Sequence, residues 1–125
     1  MDTFADRVIQ FNRELEFNGS LPRGIRVMNP FRENPDILPV TEKFYRKFYD
    51  DRTPRKFILG INPGRFGAGA TGIPFTDTKR LQDVCGIDIH MKPTHEPSSV
   101  FIYEMIERYG GVDRFYGDFY INSIS

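Results

Sequence analysis

Apolar residues recur along this chain with two different periods. Between Asp6 and Phe17, Val8, Ile9, Phe11 and Leu15 fall near helical spacing and the run stops at Asn18-Gly19, which predicts a helix. From Leu21 to Pro39 four prolines break any period, so an irregular connection is expected there, holding the short apolar piece IRVMNPF. Thr41 is placed to cap a helix with Phe44, Tyr45, Phe48 and Tyr49 on one side, where they read as core aromatics. Lys56 to Ile61, KFILGI, is short, continuous and apolar, which predicts a strand buried on both faces of a parallel sheet. Thr78 to Val84 predicts a short helix. Pro97 to Tyr109 predicts a longer one, with Ser98 or Ser99 near its start and Gly110-Gly111 as its stop. Asp118 to Ile124, DFYINSI, reads as a second strand.

Strand, glycine-rich loop, helices, strand is the order of an α/β fold, in which ligands sit outside the carboxyl ends of the strands. Asn62 and Asn122 both fall at such ends. A length of 125 residues suits one domain over 1–125, and neither repeats nor linkers suggest a second.

Composition narrows the function by exclusion. The chain is 39% hydrophobic and 14% aromatic, a globular balance, and its seventeen basic and seventeen acidic side chains cancel. Nothing in that balance marks a protein that coats a polyanion, although a brief encounter with nucleic acid remains compatible with it. Lys43 to Lys56 is locally basic, with six basic residues against two acidic ones, and reads as a solvated helix face or a phosphate-contacting patch. The lone Cys85 excludes an internal disulfide and fits a reducing compartment. His90 and His95 lack the partners of a structural zinc site, so no metal is expected. With no apolar run near the ~20 residues of a membrane span and a charged amphipathic start, a soluble cytoplasmic protein is expected, with no membrane partner.

The stretch FILGINPGRFGAGATGIPF, residues 57–75, carries the chemistry. Its GAGATG matches a dinucleotide-binding fingerprint literally, but Pro63 breaks the chain before the glycines and Ile73-Pro74 follows where a helix should start. A phosphate-binding Walker loop fits less well still, because Gly72 is followed by Ile and Pro. Asn62 held by the fixed φ of Pro63 is a rigid amide with an acceptor and two donors, able to hold a water or a ligand edge. Glycines clear space for a flat group, on which Phe66 or Phe75 can stack. These features together describe a pocket for a flipped nucleobase.

The residues also resemble a known family. GINPGRFGAGATGIPF is similar to the first motif of the single-strand-selective monofunctional uracil-DNA glycosylases, G-M-N-P-G-P-F-G-M-x-x-T-G-V-P-F. VMNPF at 27–31 resembles that family's upstream Asn-Pro segment, FYINSIS at 119–125 its second-asparagine strand, and EPSS at 96–99 its E-V-S-G. The resemblance implies a three-layer α/β/α domain with a central, mainly parallel sheet. It implies that Asn62 holds the attacking water, that Gly64 leaves room for a C5 substituent on the base, and that Phe75 stacks on uracil. Asn122 would read the base edge, accepting from N3–H and donating to O4, and cytosine presents the opposite pattern. Phe66 joins the substrate-binding residues. Arg65, where the family has Pro, and Asn29 of the Asn-Pro segment are the expected DNA contacts. The implied partner is DNA containing uracil or a damaged pyrimidine, acted on by a monomer without metal or organic cofactor.

The family's histidine segment, H-P-S-P, and the remaining strands of its sheet lie downstream of the second-asparagine strand. The expectation is therefore a C-terminally truncated member with an incomplete sheet. Three functions compete on the sequence: a monofunctional glycosylase hydrolysing the N-glycosidic bond of uracil or 5-substituted uracil, a catalytically silent nucleobase or DNA-binding module, and a nucleotide-dependent enzyme using GAGATG.

Overall fold

A computed structural model describes residues 2–14, 22–24, 31, 35–60, 71–89 and 93–123. Its elements are α1 (Phe4–Glu14), α2 (Ile37–Phe48), β1 (Lys56–Gly60), α3 (Thr78–Asp83), α4 (Pro97–Tyr109), α5 (Val112–Asp118) and β2 (Phe119–Ser123). β1 and β2 pair in parallel, Lys56 opposite Phe119 and Gly60 opposite Ser123, with the three later helices in the crossover between them. Parallel neighbours require such a crossover, since the chain must return to the end at which the first strand began. The expected mixed α/β fold with a parallel sheet is what these elements build.

Side-chain capping marks the start of α1 but not that of α2. At α1 the Asp6 N–H donates to Thr3 Oγ1 at 3.2 Å and the Thr3 N–H donates to Asp6 Oδ2 at 3.0 Å, a reciprocal cap. α2 starts at Ile37, four residues before the expected cap. Thr41 is instead a buried interior residue whose hydroxyl donates to the Leu38 carbonyl at 2.9 Å. Pro39 does not delay that start, because in a first turn its missing N–H has no partner to lose. α4 has the expected bounds, with Pro97 in its first turn and Gly110 at φ +135° as its stop. α5 is an addition to the sequence-based reading.

The core is aromatic. Phe44 and Phe48 of α2 and Tyr49 just after it pack on Tyr116 of α5 with ring centroids 4.9, 5.3 and 5.8 Å apart, and Tyr49 also meets Tyr120 of β2 at 6.1 Å. Arg55 ties the sheet entry to this cluster. Its side chain is fully buried, with Cζ 4.8 Å from the Phe4 ring and 4.6 Å from the Tyr49 ring. It donates to the carbonyls of Phe48 and Tyr116, each at 3.0 Å, and to the Asp51 carboxylate at 2.5 and 3.1 Å.

One strand expectation is corrected. β1 is not buried on both faces: Phe57 and Leu59 are 60% and 56% exposed, while Ile58 is half-buried. A continuous apolar run records affinity for a covered position, but what covers it is set by the neighbouring elements, and here the described sheet has two strands. Among the described residues no helix is long and apolar enough to cross a membrane.

Candidate functional site

The carboxyl ends of the two strands lie side by side. Leu59 is in register with Asn122 and Gly60 with Ser123, so the chain leaves β1 beside the end of β2 that carries Asn122. Asn122 Nδ2 donates to the Tyr120 hydroxyl at 3.1 Å, two residues back on the same face of the strand. Burial pushes the Tyr120 phenol up to about 12, the bond from Asn122 opposing that rise. Tyr120 is therefore a neutral anchor, and its ring is fixed in turn by edge contacts to Phe4 and Phe57 at 5.3 and 5.7 Å.

The far end of the glycine-rich stretch is a built turn. Gly72, at φ +77°, approaches α2 so closely that a Cβ there would lie 2.7 Å from both Ile37 Cγ2 and Thr41 Cγ2. This glycine thus serves helix packing rather than a phosphate. Next, Thr76 N–H donates to the Ile73 carbonyl at 3.2 Å, closing a turn with Pro74 second and Phe75 third. Phe75 has φ +55°, the sign that a type II turn demands at its third position and that glycine or asparagine ordinarily supplies. Its ring is partly buried against the core, and its carbonyl accepts from Ser99 Oγ, on α4, at 2.8 Å.

Buried hydroxyls hold the turn from below. Thr71 Oγ1 donates to the Thr76 carbonyl at 2.6 Å and accepts from the Ile73 N–H at 3.2 Å. Thr76 Oγ1 lies 3.0 Å from the Pro74 carbonyl and 2.8 Å from Tyr103 Oη, which lies 2.8 Å from Tyr116 Oη. With one proton each, these groups can donate in a single direction ending at Pro74. Burial raises the pKa of both tyrosines well above the ordinary phenol value, and it pushes the Cys85 thiol, 3.6 Å from Tyr103 Oη, up to about 11. Asp77, fully buried, caps α3 by accepting from Arg80 N–H at 2.9 Å and reaches across to the Glu96 N–H at 2.7 Å, joining the entries of α3 and α4.

Of the residues assigned from sequence, Phe75 sits in this turn and Asn122 at the end of β2. Asn29, Asn62, Gly64, Arg65 and Phe66 lie outside the described residues. His95 precedes α4 with Nδ1 3.7 Å from Asp77 Oδ2. Ser99, Thr76, Tyr103 and Tyr120 were not singled out for the site. Asp77 was missed too, although an Asp immediately before a helical run is a legible cap signal. Among the described residues no group of three or more His, Cys, Asp or Glu side chains could hold a metal ion.

A parallel strand pair presenting an amide at its carboxyl end, with an aromatic turn locked to the crossover helices, defines an α/β protein whose candidate site is the asparagine end of the sheet. A family model described as the uracil DNA glycosylase superfamily matches residues 46–125, and the chain belongs to that superfamily. The chain is similar to the crystal structure of wild-type Pedobacter heparinus SMUG2, with 59% sequence identity and a TM-score of 0.92 over 98% of this chain and 53% of that one. It therefore spans about half the length of that chain. No curated protein matches it.

Proposed function

We propose that this chain carries the base pocket of a glycosylase that hydrolyses the N-glycosidic bond of uracil in DNA. The observation that supports it most is the register of β1 with β2. That register brings the strand end leading to the INPG segment beside the strand end bearing Asn122, within a chain 59% identical to SMUG2.

On this reading Asn62 accepts a hydrogen bond from a water and holds it for attack on the sugar carbon. Phe75 stacks on the base. Asn122 accepts from N3–H and donates to O4, so cytosine, which offers an acceptor and a donor in the opposite order, is rejected. The base leaves as an anion from an oxocarbenium-like sugar, so the need is for charge stabilisation more than for a strong base, and a neutral amide suffices to hold the water. Gly64 admits a C5 substituent, which extends the proposed substrates to 5-substituted uracil. Arg65 and Asn29 contact the DNA.

A second reading is a nucleobase-binding module without turnover, which rests on the same pocket residues Phe75 and Asn122. Incubation with a single-stranded oligonucleotide containing one uracil separates the two. An alkali-labile break that disappears in Asn62→Ala supports the glycosylase, tight binding without a break supports the module, and neither binding nor a break contradicts both.

A further inference from the structure

Phe75 occupies a backbone position that an L-residue with a bulky side chain rarely adopts, and glycine would relieve it. Strain of this kind persists only where the surroundings over-determine the conformation. The surroundings here are specific. The Phe75 carbonyl is held by Ser99 Oγ at 2.8 Å from a fully buried serine in the first turn of α4. The other side of that peptide, the Thr76 N–H, donates to the Ile73 carbonyl, and Thr71 holds the next peptide through the Thr76 carbonyl. Asp77 then fixes the helix that carries Ser99 to the same turn through the Glu96 N–H.

We infer that Ser99 is a positioning residue for the base pocket, locking the Phe75 peptide in its left-handed conformation so that the aromatic ring is presented to the substrate base. The inference rests on the stacking role proposed for Phe75. A glycine would form the same turn without strain but would offer no ring, which accounts for a phenylalanine held by a dedicated hydroxyl where the backbone favours glycine.

Ser99→Ala removes the hydroxyl and little volume. Its crystal structure is expected to show Phe75 away from φ +55°. Its affinity for a non-hydrolysable oligonucleotide carrying one 2′-fluoro-deoxyuridine is expected to fall about tenfold, the effect of losing one ordered stack. Ser99→Cys, with a weaker donor of similar size, is expected to recover part of that affinity, which a purely structural loss would not do. Phe75 still at φ +55° with an unchanged affinity in Ser99→Ala overturns the inference.

If Ser99→Ala does not fold, Phe75→Gly and Phe75→Ala decide the matter. A higher urea midpoint for the glycine variant supports a strained backbone in need of a brace, and equal midpoints overturn it. A wild-type chain without any preference for uracil would sink the proposed function alone, since the backbone of Phe75 in Ser99→Ala still decides whether Ser99 is the lock.

Discussion

The amide of Asn122 donates to the hydroxyl of Tyr120 at 3.1 Å, so the residue proposed to read the base edge is itself oriented by a neighbour on its own strand. Tyr120→Phe keeps the ring contacts and deletes the acceptor. The discrimination of uracil from cytosine is expected to fall about fivefold, the worth of one hydrogen bond near 1 kcal/mol. Competition binding with uracil- and cytosine-containing oligonucleotides measures it, and unchanged discrimination would remove Tyr120 from the site.

Arg55 lies against the rings of Phe4 and Tyr49 and donates to the carbonyls of Phe48, Thr53 and Tyr116 and to the Asp51 carboxylate. Lysine cannot reproduce the planar fork, so Arg55→Lys leaves buried carbonyls without donors. Urea unfolding is expected to show a loss of about 3 kcal/mol. A loss within 0.5 kcal/mol, the range for a surface change, would mean that the stack is dispensable.

Alkaline pH should weaken the fold. Cys85, with its pKa pushed up from 9.0 to about 11, and Tyr120, from 10.0 to about 12, keep protons in the folded state that the unfolded chain gives up. Tyr103 and Tyr116 are raised by burial in the same sense. The folded state binds more protons above pH 9, so stability is fully present below that pH and declines as pH rises towards 12. Melting temperatures between pH 7 and 11 should fall from pH 9 upward. At pH 8 the native thiol should resist iodoacetamide, and rapid alkylation would contradict its burial.

The exposed side of β1 gives a stability prediction of the opposite kind. Leu59 is 56% exposed, so Leu59→Thr should change the unfolding free energy of this chain by no more than about 0.5 kcal/mol. A loss of 2 kcal/mol or more would show that the side chain is covered in solution.

Local signals made part of this fold legible. The bounds of α4 followed from Pro97 at one end and a glycine pair at the other, because both act on the backbone where they stand. The second strand was legible for a similar reason, from DFYINSI alone. α5 was not, since its seven residues include Gly117 and follow directly on a stop signal, and tertiary packing of Phe115 and Tyr116 rather than propensity holds it. The early start of α2 was hidden by Pro35 and Pro39, which read as breakers although a first turn accepts proline.

Site legibility divides in the same way. Motif and strand position made Asn122 and Phe75 candidates, but the left-handed φ of Phe75 was not legible, because residue type argues against it. Ser99 and Tyr120 act through contacts 24 and 2 residues away, and spacing alone does not reveal which hydroxyl reaches which group.

Release of uracil tests the central claim most directly. A single-stranded oligonucleotide with one uracil, incubated with this chain and then with alkali, is expected to break at that position. The break is expected to fall at least about a hundredfold in Asn62→Ala, the scale of losing a transition-state contact of nearly 3 kcal/mol. No break with the wild-type chain, or an equal one with Asn62→Ala, would contradict the account.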